Sequence, residues 1–219
     1  MQKISNTLSL HVDFDSTLFN TRRFADDLCR DIAGQAQVPF ERVKADTQRH
    51  HKDPDLKHYD FERHVAIYGL DPRVMWQRLD AIVRSGDYLF EDSAAFIQGL
   101  RAAGFEPRIL TFGEASIQRA KILPNLAALA GGDKAYAAHP LEVEITLRKK
   151  GEFLAEAYPG QRGALVDDVP DQQLPPGFTE IHLDRPRGLT APEAKSGGFT
   201  VSNLEQARQV IESLRETAA

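Results

Sequence analysis

Apolar and polar residues alternate near the start of the chain, where Leu8, Leu10, Val12 and Phe14 occupy every second position. This spacing predicts a short buried strand. Four further strands are predicted at residues 108–111, 134–138, 163–166 and 179–183. Predicted helices separate or follow them at residues 92–103, 115–123, 150–158 and 203–215. Strands that alternate with helices indicate an α/β fold with a Rossmann-like, mostly parallel sheet.

A long helical segment, from about Asn20 to Gly86, separates the first two predicted strands. Phe24 and the apolar residues four and eight positions after it lie on one helix face. The middle of the segment, residues 50–58, is polar and is predicted to be a loop. We therefore predict a core domain formed by residues 1–19 and 87–219, and a small helical domain formed by residues 20–86. Within them Phe24, Trp76 and Phe90 are interpreted as core residues.

Charge and composition narrow the class of protein. The net charge of −5 argues against a wide nucleic-acid contact, which needs a basic surface. Cys29 is the only cysteine, so no intrachain disulfide can form, which suits a reducing cytoplasm. No apolar run approaches the roughly 20 residues that span a bilayer, and the first residues lack a secretory pattern. We predict a cytoplasmic protein without membrane association, and the sequence indicates no oligomeric state.

Acidic and hydroxyl side chains follow or end three of the predicted strands. Asp13 and Asp15 come at the end of the first strand, Thr111 ends the second, and Asp167 and Asp168 follow the fourth. The carboxyl ends of parallel strands meet at one edge of a sheet, where ligands bind. Clustered carboxylates repel each other unless a cation lies among them, and their oxygens suit Mg²⁺. No group of cysteines and histidines suggests zinc instead.

These segments resemble the four motifs of the haloacid dehalogenase-like superfamily. The first is similar to His11-Val-Asp-Phe-Asp-Ser-Thr-Leu18, an Asp-x-Asp-x-Thr sequence after an apolar strand. The second resembles Arg108-Ile-Leu-Thr111, the third Lys150-Gly-Glu152, and the fourth Leu165-Val-Asp-Asp-Val-Pro-Asp171. All four occur in the family's order. Ser16 departs from the pattern, because many members carry glycine there.

The resemblance implies a role for each residue. Asp13 would attack phosphorus and form an aspartyl-phosphate, and Asp15 would act as general acid and then as general base. Thr111 would donate a hydrogen bond to the phosphoryl group, and Lys150 would neutralise its charge. The implied cofactor is Mg²⁺, and its implied ligands are Asp13, Asp167 and the backbone carbonyl of Asp15, with a further carboxylate outside them.

Two assignments stay open at this stage. The further carboxylate is either Asp168 or Asp171. The motif lysine is either Lys149 or Lys150; Lys150 is preferred because it directly precedes the Gly-Glu start of a helix. Lys121 and Lys134 are more distant candidates.

The implied function is hydrolysis of a small phosphomonoester. A dehalogenase is disfavoured, because that chemistry lacks the second aspartate and Asp15 is present. A phosphomutase keeps both aspartates and remains an alternative, as does a non-catalytic protein of this fold that binds a phosphorylated metabolite. A phosphatase of nucleic-acid ends is the weakest reading, because the chain is acidic.

The helical segment 20–86 resembles the small cap that this superfamily inserts after its first motif, which favours a small phosphorylated metabolite as the partner. Donors that could meet its phosphate or an anionic tail are His50, His51, Lys52, Lys57 and His58. The spacing of the histidines, with His64, matches no familiar metal site, so a solvated face or a gating role is predicted. Arg185 and Arg187 are predicted to lie in a surface loop.

Overall fold

The computed structural model describes residues 8–52 and 58–216. In these ranges the chain forms one seven-stranded sheet. Its strands are β1 Ser9–Val12, β2 Pro107–Phe112, β3 Val143–Thr146, β4 Gly163–Asp167, β5 Phe178–Leu183, β6 Glu193–Lys195 and β7 Gly198–Val201. The helices are α1 Thr21–Ala36, α2 Phe40–Lys52, α3 Phe61–Ala66, α4 Pro72–Ser85, α5 Ser93–Ala102, α6 Ala115–Ile122, α7 Leu126–Ala130, α8 Asp133–Ala138, α9 Lys150–Ala157 and α10 Leu204–Glu216.

The strand order is β3-β2-β1-β4-β5-β7-β6, and every neighbouring pair is parallel except β6 with β7. The predicted α/β fold with a mostly parallel sheet is therefore confirmed. Because β1 lies between β2 and β4, the carboxyl ends of these three strands are adjacent at one edge. These are the ends that carry the acidic and hydroxyl side chains.

Side chains from the two faces of the sheet enter separate apolar clusters. On one face Leu10, Ile109 and Val166 are completely buried in the main core, which also includes apolar residues of α1, α5 and α10. On the other face Leu110 and Leu165 form a small cluster with Leu154 of α9. This period of two within each strand fixes which residues point toward which layer of helices.

The four helices α1–α4 are inserted after β1, and short hydrogen bonds join the chain where it leaves and returns. Asn20 N donates to Tyr88 O at 2.7 Å, and Phe90 N donates to Leu18 O at 3.0 Å. The inserted helices pack on one another, and α4 also contacts α6 of the core. The division into a core of residues 1–19 and 87–219 and a separate unit of residues 20–86 stays a prediction.

One prediction about the sheet is wrong, and one pair of its strands was not predicted. Residues 134–138 form α8 rather than a strand, because Gly132 precedes a first helical turn that begins with Asp133, and most of this short helix is exposed. The third strand is instead Val143–Thr146. The antiparallel hairpin of β6 and β7 was not predicted, although Ser196-Gly197, with Gly197 at φ 80°, forms its tight turn.

Three predictions about polar residues also need correction. His50, His51 and Lys52 lie in the last helical turn of α2 rather than in a loop. His64 is completely buried, and its Nδ1 lies 2.7 Å from the hydroxyl of Tyr59, so it does not belong to a solvated face. Arg185 is half-buried rather than a free surface residue.

Arg185 connects the segment after β5 to the turn that follows β1. Its guanidinium forms an ion pair with Asp92 and donates to Thr17 O at 3.0 Å. It also lies over the ring of Phe90, 4.1 Å from the ring centre. Arg187 is exposed and pairs with Glu193.

No helix in residues 8–52 and 58–216 is long and apolar enough to cross a membrane.

Candidate active site

Three carboxylates meet at the carboxyl ends of β1 and β4. Val12 pairs with Val166, and Asp13 N donates to Val166 O at 2.9 Å, so the next residues of the two strands lie side by side. One oxygen from each of Asp13, Asp167 and Asp168 lies within 4.8 Å of the others. Asp13 is 3% exposed and Asp167 is fully buried, so their charges are poorly solvated.

Lys150 is the cation inside this carboxylate cluster. It begins α9, is 6% exposed, and places its Nζ 2.5 Å from Asp13 Oδ1 and 2.6 Å from Asp167 Oδ2. Lys149 is exposed at the helix N-cap. Of the two lysines left open by the sequence, only Lys150 contacts the aspartates in the described chain.

Gly151 allows the loop after β4 to pass directly over the start of α9. A Cβ at this position would lie 2.3 Å from Gln172 O and 2.4 Å from Gln173 O, distances that no real Cβ adopts. The glycine after Lys150 is therefore a packing requirement. It brings the loop that follows Asp167 and Asp168 against the helix that carries the lysine.

Burial and like charges dominate the electrostatics of the cluster. Burial raises the pKa of Asp13 to about 8; the ammonium of Lys150 opposes this rise, and the charges of Asp167 and Asp15 add to it. Burial and the charge of Asp167 raise the pKa of Asp168 to about 6. Burial lowers the pKa of Lys150, but Asp13 and Asp167 outweigh it, so the net shift is upward.

These shifts predict how the stability of the metal-free protein depends on pH. The unfolded chain releases both protons near pH 4, whereas folded Asp168 keeps its proton up to about pH 6 and folded Asp13 keeps its proton up to about pH 8. The free energy of unfolding therefore falls as pH rises from about pH 4 to about pH 8. In excess chelator we expect the unfolding temperature at pH 8 to be at least about 2 °C below that at pH 5. Thermal unfolding of wild type and Asp13→Asn checks this, and an equal decline in both proteins would contradict it.

Thr111 lies at the same edge and has an unused hydrogen-bonding atom. It is the last buried residue of β2, and it is completely buried. Its Oγ1 has no hydrogen-bond partner in the described part of the structure. A buried hydroxyl without a partner costs free energy, so a phosphoryl oxygen is a fitting acceptor for it.

Asp15 is held by a set of donors that sequence reasoning missed. Lys121 Nζ lies 2.5 Å and 2.6 Å from its two carboxylate oxygens, Gln118 Nε2 donates to it at 2.9 Å, and Thr21 Oγ1 donates to it at 2.7 Å. Although burial raises the pKa of Asp15, Lys121 and these hydrogen bonds lower it below its ordinary value. Asp15 is therefore a carboxylate that is fixed in place and paired with an ammonium ion.

Gln118 and Lys121 come from α6, the helix that follows Thr111 along the chain. They are three positions apart, so they lie on one helix face, and both are at most 5% exposed. The available signal was two polar residues on the buried face of a short helix directly after the second motif. The sequence identifies Lys121 only as a distant candidate for the role of Lys150, which differs from the role that the structure gives it.

Ser16 has a left-handed backbone with φ 60°. Glycine adopts this conformation without strain, which explains why glycine suits the position. The amide of Ser16 is satisfied by Phe19 O at 2.8 Å and Thr21 Oγ1 at 3.1 Å. The turn thus positions Thr21 to bind both Ser16 and Asp15.

A cavity of about 410 Å³ lies on the Asp15 side of the site, between the inserted helices and α6. Its wall includes residues from α1 and α2 as well as the segment from Phe112 to Lys121. Phe24 is buried in the core, as predicted, but it also lines this cavity. Asp15 lines the cavity, whereas Asp13, Asp167 and Lys150 do not. The cavity therefore lies next to the carboxylate cluster, on the side of Asp15.

The structure brings together Asp13, Asp167, Asp168 and Lys150 in one cluster. Asp171 is exposed, and its carboxylate is not among the three that lie close enough together to hold one metal ion. His58 lines the cavity. The side chains of His50, His51 and Lys52, together with Lys57, lie outside the described residues.

Oxygen donors of this kind fit a magnesium ion. Three carboxylates within reach of one point, beside an unpartnered hydroxyl, match the hard oxygen ligands that Mg²⁺ takes. The ligand set contains no cysteine or histidine.

A protein-family model of haloacid dehalogenase-like hydrolases matches residues 11–166 of the chain. No curated protein gives a sequence match. The fold is similar to that of a protein described as a HAD-hydrolase from Bacillus subtilis and solved bound to magnesium, with a TM-score of 0.60, 14% identity, and coverage of 94% of this chain and 99% of that one.

Two further solved structures have a similar fold, although one is a phosphatase and the other is a dehalogenase. A HAD phosphatase from Thermococcus onnurineus has a TM-score of 0.60 and 14% identity, with coverage of 94% of this chain and 98% of that one. A 2-haloacid dehalogenase from Pseudomonas syringae pv. tomato has a TM-score of 0.54 and 19% identity, with coverage of 95% and 99%. At these identities the likeness concerns the fold alone.

The fold and the family model together place the chain in a class of enzymes. This protein belongs to the haloacid dehalogenase-like hydrolase family.

Proposed function

We propose that this hydrolase is a magnesium-dependent phosphatase that cleaves a small phosphomonoester through an aspartyl-phosphate on Asp13. One observation carries the proposal: Asp15 places a second carboxylate two residues after Asp13 of the cluster, and Asp15 also lines the cavity. A second carboxylate there serves proton transfer to an alcohol oxygen. Displacement of a halide needs no such proton.

Each residue in the cluster has a task in the proposed reaction. A carboxylate oxygen of Asp13 forms a bond to phosphorus as the bond from phosphorus to the substrate oxygen breaks. Because Asp15 is ionised in the free protein, it first takes the proton of the bound phosphomonoester monoanion and passes it to that oxygen. Later it takes a proton from the water that attacks the phosphorylated Asp13. Lys150 and Thr111 bind the phosphoryl oxygens, where negative charge accumulates.

Asp13, Asp167 and the carbonyl of Asp15 would hold Mg²⁺, and Asp168 would support it from the same cluster. When bound, the ion would offset the repulsion among the carboxylates and the phosphoryl group. The helices α1–α4 would act as the cap that selects the substrate and excludes water. A cytoplasmic setting and a small phosphorylated metabolite as partner fit this proposal.

Release of inorganic phosphate from a panel of phosphomonoesters tests the function. We expect hydrolysis with Mg²⁺, less than about one hundredth of that rate in excess chelator, and full recovery when Mg²⁺ is restored. Hydrolysis that needs no sugar-phosphate acceptor separates a phosphatase from a phosphomutase. Full activity in excess chelator would remove the metal from the proposal, and no hydrolysis of any ester would favour a binding protein.

We propose that Lys121 positions Asp15, and that its ammonium stays in contact with the Asp15 carboxylate during proton transfer. Lys121→Met should lower kcat about tenfold for an alkyl phosphate, whose leaving oxygen needs a proton. The loss should be under threefold for p-nitrophenyl phosphate, with KM unchanged for both esters. Lys134→Met, at an exposed lysine of α8, is the matched control. Equal losses for the two esters would mean that Lys121 only supports the fold.

A further inference from the structure

Arg185 reaches from the end of β5 to the turn after β1. Its Nη2 donates to Thr17 O at 3.0 Å, in the segment where the chain leaves for the inserted helices. The backbone beside Arg185 is fixed to the sheet, because Asp184 N donates to Val201 O at 2.7 Å and Arg187 N donates to Asp184 O at 3.1 Å. The guanidinium therefore holds the turn from a rigid base.

The same guanidinium binds the segment that returns from the inserted helices. Its two Nη atoms donate to the two carboxylate oxygens of Asp92, at 2.9 Å and 3.0 Å, and it lies over the ring of Phe90. Asp92 precedes α5 at the position that usually caps a helix, yet its side chain makes no capping hydrogen bond to that helix. It accepts instead from Leu204 N, at the start of α10, at 3.2 Å. Asp92 therefore holds Arg185 and α10 rather than its own helix.

The turn that Arg185 contacts is strained. Ser16, directly before Thr17, has the left-handed φ of 60°. This conformation costs free energy for serine, and it persists only where surrounding contacts hold the backbone in place. The hydrogen bond from Arg185 to Thr17 O is such a contact, and it comes from a distant part of the chain.

Thr17 connects this turn to the nucleophile of the proposed reaction. Thr17 is fully buried, and its Oγ1 donates to Asp13 Oδ2 at 3.4 Å. Because this distance is near the upper limit for a hydrogen bond, a displacement of Thr17 by about 0.2 Å would break the bond. The position of the Thr17 backbone therefore decides whether the hydroxyl contacts the carboxylate.

The two oxygens of Asp13 have different partners. Lys150 Nζ lies 2.5 Å from Oδ1, whereas the Thr17 hydroxyl contacts Oδ2. One contact leaves the carboxylate free to rotate about the axis through it, and the second contact fixes its plane. In-line attack on phosphorus needs an aligned oxygen, so loss of the second contact slows the attack.

We propose that Arg185 is a positioning residue for Asp13. It clamps the turn after β1 onto the segment before α5, and it thereby keeps the Thr17 hydroxyl on the Asp13 carboxylate. Arg185 acts through Thr17 and not by touching the reacting atoms. The inference rests on the proposed phosphatase function, and it adds a residue that lies outside the four sequence motifs.

Single-turnover kinetics with p-nitrophenyl phosphate and Mg²⁺ test the clamp in Arg185→Met. With enzyme in excess, the rate constant at saturation does not depend on the fraction of protein that is folded. It reports attack by Asp13, because nitrophenolate leaves without a proton. We expect it to fall at least about fivefold, while the Kd of inorganic phosphate stays within about twofold of wild type. A wild-type rate constant would overturn the clamp.

Arg187→Met is the matched control, since Arg187 is exposed and pairs with Glu193. It should keep the wild-type rate constant, and a fall equal to that of Arg185→Met would contradict the specific role. Asp92→Asn keeps the shape of its side chain but weakens the hold on Arg185. Its rate constant should fall at least about threefold. A wild-type value for Asp92→Asn would overturn the clamp even where Arg185→Met does not fold.

A double variant tests the route through Thr17. Thr17→Val removes the hydroxyl but keeps the shape of the side chain, and it should lower the same rate constant at least about fivefold. Adding Arg185→Met should then change the rate constant less than about twofold, because the contact that Arg185 maintains is already absent. Losses that multiply, or a wild-type rate constant for Thr17→Val, would overturn this route.

Hydrogen exchange without substrate separates this inference from the proposed function. Leu18 N donates to Phe14 O within the turn, and Phe90 N donates to Leu18 O between the two segments. In Arg185→Met both amides should exchange at least about tenfold faster, while Ile181, in the middle of β5, keeps its rate. If wild type hydrolyses no ester but this local change is found, the phosphatase function fails and the clamp on the turn stands. If wild type is an active phosphatase and neither exchange nor the rate constant changes, the clamp is overturned and the function stands.

Discussion

Replacement of Asp13 by asparagine is expected to lower turnover of every phosphomonoester at least about 10⁴-fold, because a neutral amide cannot attack phosphorus. Asp13 is the member of the carboxylate cluster that also contacts Lys150 and lies next to Asp15 along the strand end. No other described carboxylate combines these positions. Steady-state phosphate release from purified wild type and Asp13→Asn measures the effect.

The same variant should remain folded, which makes the loss of activity interpretable. Burial raises the pKa of Asp13, so the ionised carboxylate is costly in the metal-free protein, and an amide of the same shape removes that cost. Asp133→Asn, at an exposed residue of α8, is the control and should keep wild-type rates. Activity of Asp13→Asn within tenfold of wild type would remove Asp13 from the role of nucleophile.

Replacement of Asp15 by asparagine should lower kcat by about 10²–10⁴-fold, the usual contribution of a general acid–base group. The loss should appear at different steps for different esters. An alkyl phosphate needs a proton on its leaving oxygen, so formation of the aspartyl-phosphate should be slow. With p-nitrophenyl phosphate this step proceeds, and a burst of about one nitrophenolate per enzyme should precede slow turnover. An unchanged rate with the alkyl phosphate would refute the role.

The ion pair between Asp15 and Lys121 complicates that variant, and a double variant resolves the difficulty. Asp15→Asn leaves a buried ammonium without its carboxylate, which destabilises a protein by about 3–5 kcal/mol where the pair is fully buried. Asp15 is 24% exposed, so a smaller loss is expected here. Asp15→Asn combined with Lys121→Met removes both partners and should recover much of the stability but none of the activity. Recovery of activity with stability would show that Asp15 is structural.

The part of the site that sequence could predict is the part carried by strand ends. Asp13 and Asp167 follow apolar strands, and parallel strands bring their carboxyl ends to one edge, so order along the chain was sufficient to group them. Lys150 was identifiable because it begins a helix before Gly151. The backbone contact that requires glycine there, with Gln172 and Gln173 O, is visible only in three dimensions.

Gln118 and Lys121 could not be assigned in this way. Their partner, Asp15, is more than a hundred residues earlier in the chain. A helix face shows from sequence which residues are neighbours on it, but not which distant group it contacts. The pairing depends on how α6 packs against the turn after β1 and against α4 of the insert.

Short or exposed elements account for the errors in the sheet. Strand β3 has four residues, and only Thr146 among them is buried, so its apolar alternation is weak. In residues 134–138 a similar alternation occurs by chance on an exposed helix. The hairpin of β6 and β7 has three and four residues, too few for a periodic pattern to predict.

The most direct test of the proposed chemistry is to trap the phosphorylated enzyme. Asp15→Asn should accumulate the intermediate with p-nitrophenyl phosphate and Mg²⁺, because attack by water on it lacks its general base. Acid quenching, digestion and mass spectrometry should then place a phosphoryl group on Asp13, and none should appear in excess chelator. Phosphate on another residue, or continued release of phosphate with Asp13 unmodified throughout, would contradict the account.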